Sequence, residues 1–123
     1  MAEAAMDEFT KAYVECALWS STDDNGKPLD TLRDTLSPDA LLSMIEDCRR
    51  FQKEHWADIA SNPARAGHDY WLTRNGHGAG FWDGDWPKEI GKRLTVASEA
   101  AGECTLYIGD TGLIHSFPDK RGQ

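Results

Sequence analysis

The nineteen residues from His68 to Trp86, HDYWLTRNGHGAGFWDGDW, hold five aromatic side chains, four glycines, two histidines and three aspartates. Phe, Tyr and Trp carry the largest apolar area per residue, and a small domain needs that burial to be stable. Trp71, Leu72 and Phe81 are therefore expected in the core, and Trp82 and Trp86, beside Asp83 and Asp85, at the surface. The local pattern predicts a β-hairpin. Tyr70, Leu72 and Arg74 alternate with Trp71 and Thr73, Asn75-Gly76 tolerates the positive φ of a tight turn, and Ala79 to Trp82 forms the return strand.

On either side of this segment the apolar period is helical. Met6, Phe9, Tyr13, Cys16 and Ala17 recur at three- and four-residue steps, which predicts a helix over roughly residues 5 to 20. SSTDDNGKPLD then reads as a polar loop. Ser37 as N-cap, Pro38 at N1, Asp39 near the positive end of the dipole and a Leu36–Leu41 staple start a second helix. Its stripe runs through Met44, Cys48, Phe51, His55 and Ile59, and Asn62-Pro63 ends it. Asp83 or Asp85 is expected to cap a third helix with Pro87 in its first turn, Leu94 on its inner face and Gly102 as its stop. Alternation resumes at Cys104 to Ile108, GDTG turns, and Leu113 to Phe117 returns. The expected fold over residues 1–123 is one α+β domain: two N-terminal helices, then ββαββ with a mainly antiparallel sheet covered by helices.

The chain has 13 basic and 21 acidic residues, a net charge of −8. Met1 to Cys48 holds eleven of those acids against three bases, so the entire imbalance lies in that segment and the remainder sums to zero. A duplex binder needs the opposite sign, which disfavours direct nucleic-acid binding, whereas an acidic face complements a basic partner. Asp23, Asp24, Asp30 and Asp34, gathered by the polar loop, are the acids expected to make that contact. Three cysteines, Cys16, Cys48 and Cys104, in no C-x-x-C spacing are expected to be reduced and without a catalytic role. The opening MAEAAMDEF has neither a basic nor an apolar leader segment, so the expected location is the cytoplasm, with no membrane partner.

Imidazole and carboxylate in the central segment are possible ligands for zinc, manganese or iron, and a hairpin would bring His68 and His77 together across its ends. No H-E-x-x-H or related spacing accompanies them, and NGHGAG matches neither glycine-rich phosphate motif, so no metal and no cofactor is expected. Catalysis is not expected either; the alternatives are a small metal-dependent or nucleotide-directed enzyme working through His68, His77, Asp83 or Asp85, and a minor virion protein. For binding, the loop residues Asn75 and His77 and the exit residues Trp82 and Trp86 are expected to touch a partner.

GHDYWLTRNGHGAGFWD, followed by a helix and then LYIGDTG, resembles a signature of small proteins of bacteriophages and prophages. The resemblance spans about the last sixty residues and is most specific in WLTRNGHGAGFWD. It implies a phage accessory protein, a class that often blocks host defences by binding, and it transfers no catalytic residue. The expected partner is thus a host protein, such as a nucleic-acid-binding defence complex, met through the acidic half.

Overall fold

In the computed structural model, which describes residues 6–23, 25–30, 35–77 and 79–117, the element order is α1 (Glu8–Ser20), α2 (Pro38–Ile59), α3 (Pro63–Arg74), α4 (Lys88–Ala101), β1 (Thr105–Ile108) and β2 (Ile114–Phe117). The fold is mostly helical, and the one sheet among the described residues is the antiparallel pair β1–β2, in which Tyr107 faces His115 and Leu106 faces Ser116.

This corrects the α+β expectation of ββαββ with a sheet covered by helices, because neither strand of the first expected hairpin forms. The segment read as a strand, His68 to Arg74, is the C-terminal part of α3. Asn62 and Pro63, which read as the end of the preceding helix, start a new one: the Asn62 side chain accepts from Arg65 N, and Pro63 occupies the first turn. α3 buries Ala66, Gly67 and every residue from Asp69 to Arg74. A helix buried on nearly all sides carries no amphipathic period, so the chance alternation of Tyr70, Leu72 and Arg74 was the only pattern left to read.

The expected return strand, Ala79 to Trp82, is a loop. Two of its N–H groups meet side chains: Phe81 N donates to Thr73 Oγ1 at 3.1 Å, and Gly80 N to Asp83 Oδ2 at 3.2 Å. Asn75-Gly76 does turn the chain, with Gly76 at φ 70°, but it ends a helix and joins no hairpin. Neither Asp83 nor Asp85 caps α4, whose N-cap is Pro87 with no side-chain hydrogen bond.

Other elements stand where the sequence places them. Asp7 caps α1, accepting from Thr10 N at 2.9 Å, and Ser37 caps α2, accepting from Ala40 N at 3.1 Å. α2 departs from helical geometry at His55, whose ring lies 4.7 Å from that of Phe51. Gly102, at φ 82°, ends α4. The C-terminal hairpin is tied to the start of α2 by Ser37 N donating to Ile114 O at 2.8 Å.

α1 crosses α3 with almost no gap. A Cβ on Gly67 would collide with the Phe9 carbonyl, so only glycine permits this approach. The close crossing allows an aromatic cluster: Phe51 stacks on Tyr70 at 4.1 Å, Tyr13 lies 5.3 Å from Tyr70, and Trp71 meets Tyr13 edge-on at 5.4 Å. Trp71, Leu72 and Phe81 are buried, as their apolar area requires.

At the end of that cluster sits Arg74, with 3% of its surface exposed. Its Nη1 donates to Tyr13 Oη and to Asp47 Oδ2, each at 3.0 Å, Nε to Gly102 O at 2.7 Å, and Nη2 to Ala101 O at 3.1 Å. Its carbon end lies 5.3 Å from the centre of the Tyr70 ring. Burial works against the charge, but Tyr13, Tyr70 and Asp47 outweigh it and hold the Arg74 pKa above its ordinary value. One guanidinium thus joins α1, α2 and α3 and satisfies the carbonyls at the C-terminus of α4, where positive charge is favoured.

Removing one partner of a buried ion pair leaves an uncompensated charge. We expect Asp47→Ala to cost about 3 kcal/mol or more in urea denaturation. Asp58→Ala, which breaks the surface pair with Arg93, should cost under about 1 kcal/mol. Equal costs would show that the Arg74 cluster is not the centre of stability.

Candidate functional site

Beside the α1–α3 contact the surface opens into a groove of about 740 Å³, lined among others by Glu15, Cys16 and Trp19 of α1, Asp30 of the acidic loop, and Arg65 and His68 of α3. The same crossing that buries Phe9 against Gly67 sets the helices' outer residues around this opening. Trp19 is 62% exposed, an unusual state for so large an apolar side chain, and Glu15 and Asp30 are exposed carboxylates.

His68 is oriented from behind. Its Nδ1 lies 3.2 Å from Asp69 Oδ1, and the second carboxylate oxygen, Oδ2, accepts from Trp86 Nε1 at 2.8 Å. Asp69 is 1% exposed whereas the His68 ring is 39% exposed, so a buried acid holds an accessible imidazole. A carboxylate only accepts, so in this contact His68 Nδ1 donates to Asp69 Oδ1, and Nε2 is the ring's other polar atom. Arg65 is drawn toward Asp85, 3.7 Å away.

Cys16, which lines the groove, and Ser20, which does not, are both committed elsewhere. Burial, and then the nearby Asp69 carboxylate, push the Cys16 thiol up to about 12, so it is protonated at neutral pH. Ser20 donates its hydroxyl to Cys16 O at 2.7 Å and accepts from Trp71 Nε1 at 2.8 Å. Cys48 and Cys104 are buried. Among the described residues no group of three His, Cys, Asp or Glu side chains is placed to hold a metal ion.

Of the residues singled out in the sequence, Asp30 lines this groove, and His68 and Asp69 meet beside it. Asp23 instead shapes its own turn, accepting from Asn25 N at 2.8 Å and Lys27 N at 2.9 Å; Asp24 and Asp34 lie outside the described residues. Asn75 is a structural clamp: Nδ2 donates to Trp71 O at 3.0 Å and Oδ1 accepts from Cys104 N at 2.8 Å. His77 is exposed after α3, its N–H bound to Leu72 O at 3.0 Å, and it does not line the groove of His68. Trp82 is 54% exposed as expected, but Trp86 is only 8% exposed, because its indole N–H serves Asp69 and its ring meets Phe81 edge-on. Asp83 is turned toward Gly80 N. Glu15, Trp19 and Arg65 were missed. The i, i+4 step from Glu15 to Trp19 was readable, but their pairing with α3 required knowing that α3 is a helix.

Burial raises the Asp69 pKa, opposed incompletely by the hydrogen bonds from Trp86 and His68. An acid whose folded pKa lies above its unfolded value binds more protons folded than unfolded just above 3.8, so its contribution to stability falls as pH rises through that window. Asp69→Asn keeps an acceptor for Trp86 and removes the charge, so it should match or exceed the wild type at neutral pH within about 1 kcal/mol and flatten this pH dependence. Asp69→Ala strands the Trp86 N–H and should cost about 1–3 kcal/mol. Urea denaturation of both variants between about pH 4 and 7 decides; an asparagine penalty as large as the alanine one would contradict the account. Comparison with protein-family models, curated proteins and solved structures finds no match for this chain.

Proposed function

We propose that this protein works by binding a basic segment of a protein partner in the groove between α1 and α3. The observation that carries this reading is the exposed Trp19 indole standing with the Glu15 and Asp30 carboxylates around one opening. An indole face attracts a Lys or Arg side chain through its quadrupole, and a neighbouring carboxylate adds charge-assisted hydrogen bonds. The charge distribution supports the same partner, because both carboxylates belong to the half of the chain that holds the whole −8. Steering by that field speeds association with a positive surface and makes it sensitive to salt.

The finer reading is a phage accessory protein that occupies the basic surface of a host nucleic-acid-handling protein, such as a defence complex. Support for it comes from the resemblance carried by WLTRNGHGAGFWD and from the sign of the charge. Such a partner's nucleic-acid groove presents the Arg and Lys side chains that the Trp19 groove suits.

Full-length protein immobilised in bacterial lysate at low and at high salt tests the reading against Glu15→Gln/Asp30→Asn and Trp19→Ala variants. We expect a protein retained at low salt and released at high salt, with retention reduced on the order of tenfold by either variant. Retention that ignores salt and both variants would place the contact elsewhere and sink the proposal.

A further inference from the structure

A second groove, of about 450 Å³, runs between α4 and the loop that holds Phe81 to Trp86. It exists because α4 lies directly on that loop: a Cβ on Gly91 would come within 2.6 Å of the Phe81 carbonyl, so a glycine in the first turn of α4 lets the two meet. Trp82, 54% exposed, and Val96, 63% exposed, form its apolar walls, and Lys88 and Lys92 line its α4 side. The two lysines are four residues apart, hence neighbours on one helix face.

The charge of this groove is opposite to that of the molecule. Among the described residues lining it there are two lysines and no carboxylate, on a chain of net −8. The nearby acids are turned away. Asp83 accepts from Gly80 N at 3.2 Å, Asp85 pairs with Arg65 at 3.7 Å, and Glu89 acts on Arg93. Neither lysine forms an ion pair with a described residue. The first turn of α4, which Lys88 opens, receives no side-chain cap, so the positive end of its dipole adds to the same local field.

We propose that this groove binds a phosphorylated planar heteroaromatic molecule of nucleotide size, with its ring on the Trp82 indole and its phosphate between Lys88 and Lys92. The groove volume falls in the range of small-ligand sites, and stacking on an exposed indole suits any flat ring. Two neighbouring ammonium groups match the several oxygens of one phosphate. A nucleic-acid strand is the poorer occupant, because a net charge of −8 repels a polyanion far more than a single phosphate. The site shares no residue with the α1–α3 groove and stands independently of the function proposed there.

Adenosine monophosphate titrated into 15N-labelled full-length protein provides the test, with adenosine, inorganic phosphate and a thymidine oligonucleotide as comparison probes. The expected result is a saturable shift of the Trp82 indole and of the Lys88 to Lys92 amides. Trp82→Ala and Lys88→Gln/Lys92→Gln should each weaken binding by about tenfold, and adenosine or phosphate alone should bind at least about tenfold more weakly. All three side chains are exposed, so the variants should keep the wild-type spectrum elsewhere. The proposal is overturned by no saturable shift up to about 10 mM, by unchanged affinity in both variants, or by tighter binding of the oligonucleotide.

Discussion

The guanidinium of Arg74 is the group on which the rest of the structure depends. A charge this deeply buried is tolerable only with a counter-charge and a full set of acceptors, and Arg74 obtains them from Asp47, Tyr13, Ala101 and Gly102. Meeting those demands fixes where α1, α2 and the end of α4 lie around α3. Apolar packing alone would let these helices slide or rotate, whereas a planar donor fork with four partners admits one arrangement. The next residue continues the same task, because Asn75 links the last turn of α3 to Cys104 at the entrance of β1.

Arg74 and Asn75 belong to WLTRNGHGAGFWD, so this segment of the chain is in large part an instruction for folding. Trp71, Leu72, Thr73 and Phe81 of the same segment are buried. Its functional potential lies where it leaves the core. Just before it His68 lines the α1–α3 groove with Asp69 behind it, and near its end Trp82 forms a wall of the α4 groove. Asp69 and Trp86 connect the two regions through one hydrogen bond across seventeen residues, holding the loop against α3. The two grooves differ in character: two carboxylates, a guanidinium, an imidazole and an indole line the first, and lysines and indoles without a carboxylate the second.

Much of this was legible in the sequence wherever a local signal decided the structure. The Ser37-Pro38-Asp39 start of α2, the stop at Gly102 and the alternating C-terminal hairpin are short-range features, and each holds in the fold. α3 escaped because its determinants are long-range. Burial of Asp69 and Arg74 depends on partners at Trp86, Asp47, Tyr13 and Ala101, so a polar residue in the segment no longer marks an exposed face. Asn62-Pro63 held the needed signal, since the pair that stops one helix equally caps and opens the next. The sites followed suit. Asp30 and Trp82 were reachable from exposure and composition, whereas Trp86 and Asn75 were drawn inward by hydrogen bonds to residues distant in sequence.

Everything proposed for the two grooves rests on α3 being a helix locked at Arg74, and backbone chemical shifts combined with amide exchange measure that directly. Helical Cα shifts are expected from Ala66 through Arg74, with amides of Tyr70 to Arg74 among the slowest to exchange. Strand-type shifts over His68 to Arg74, with cross-strand contacts to Ala79 to Trp82, would contradict it and restore the hairpin.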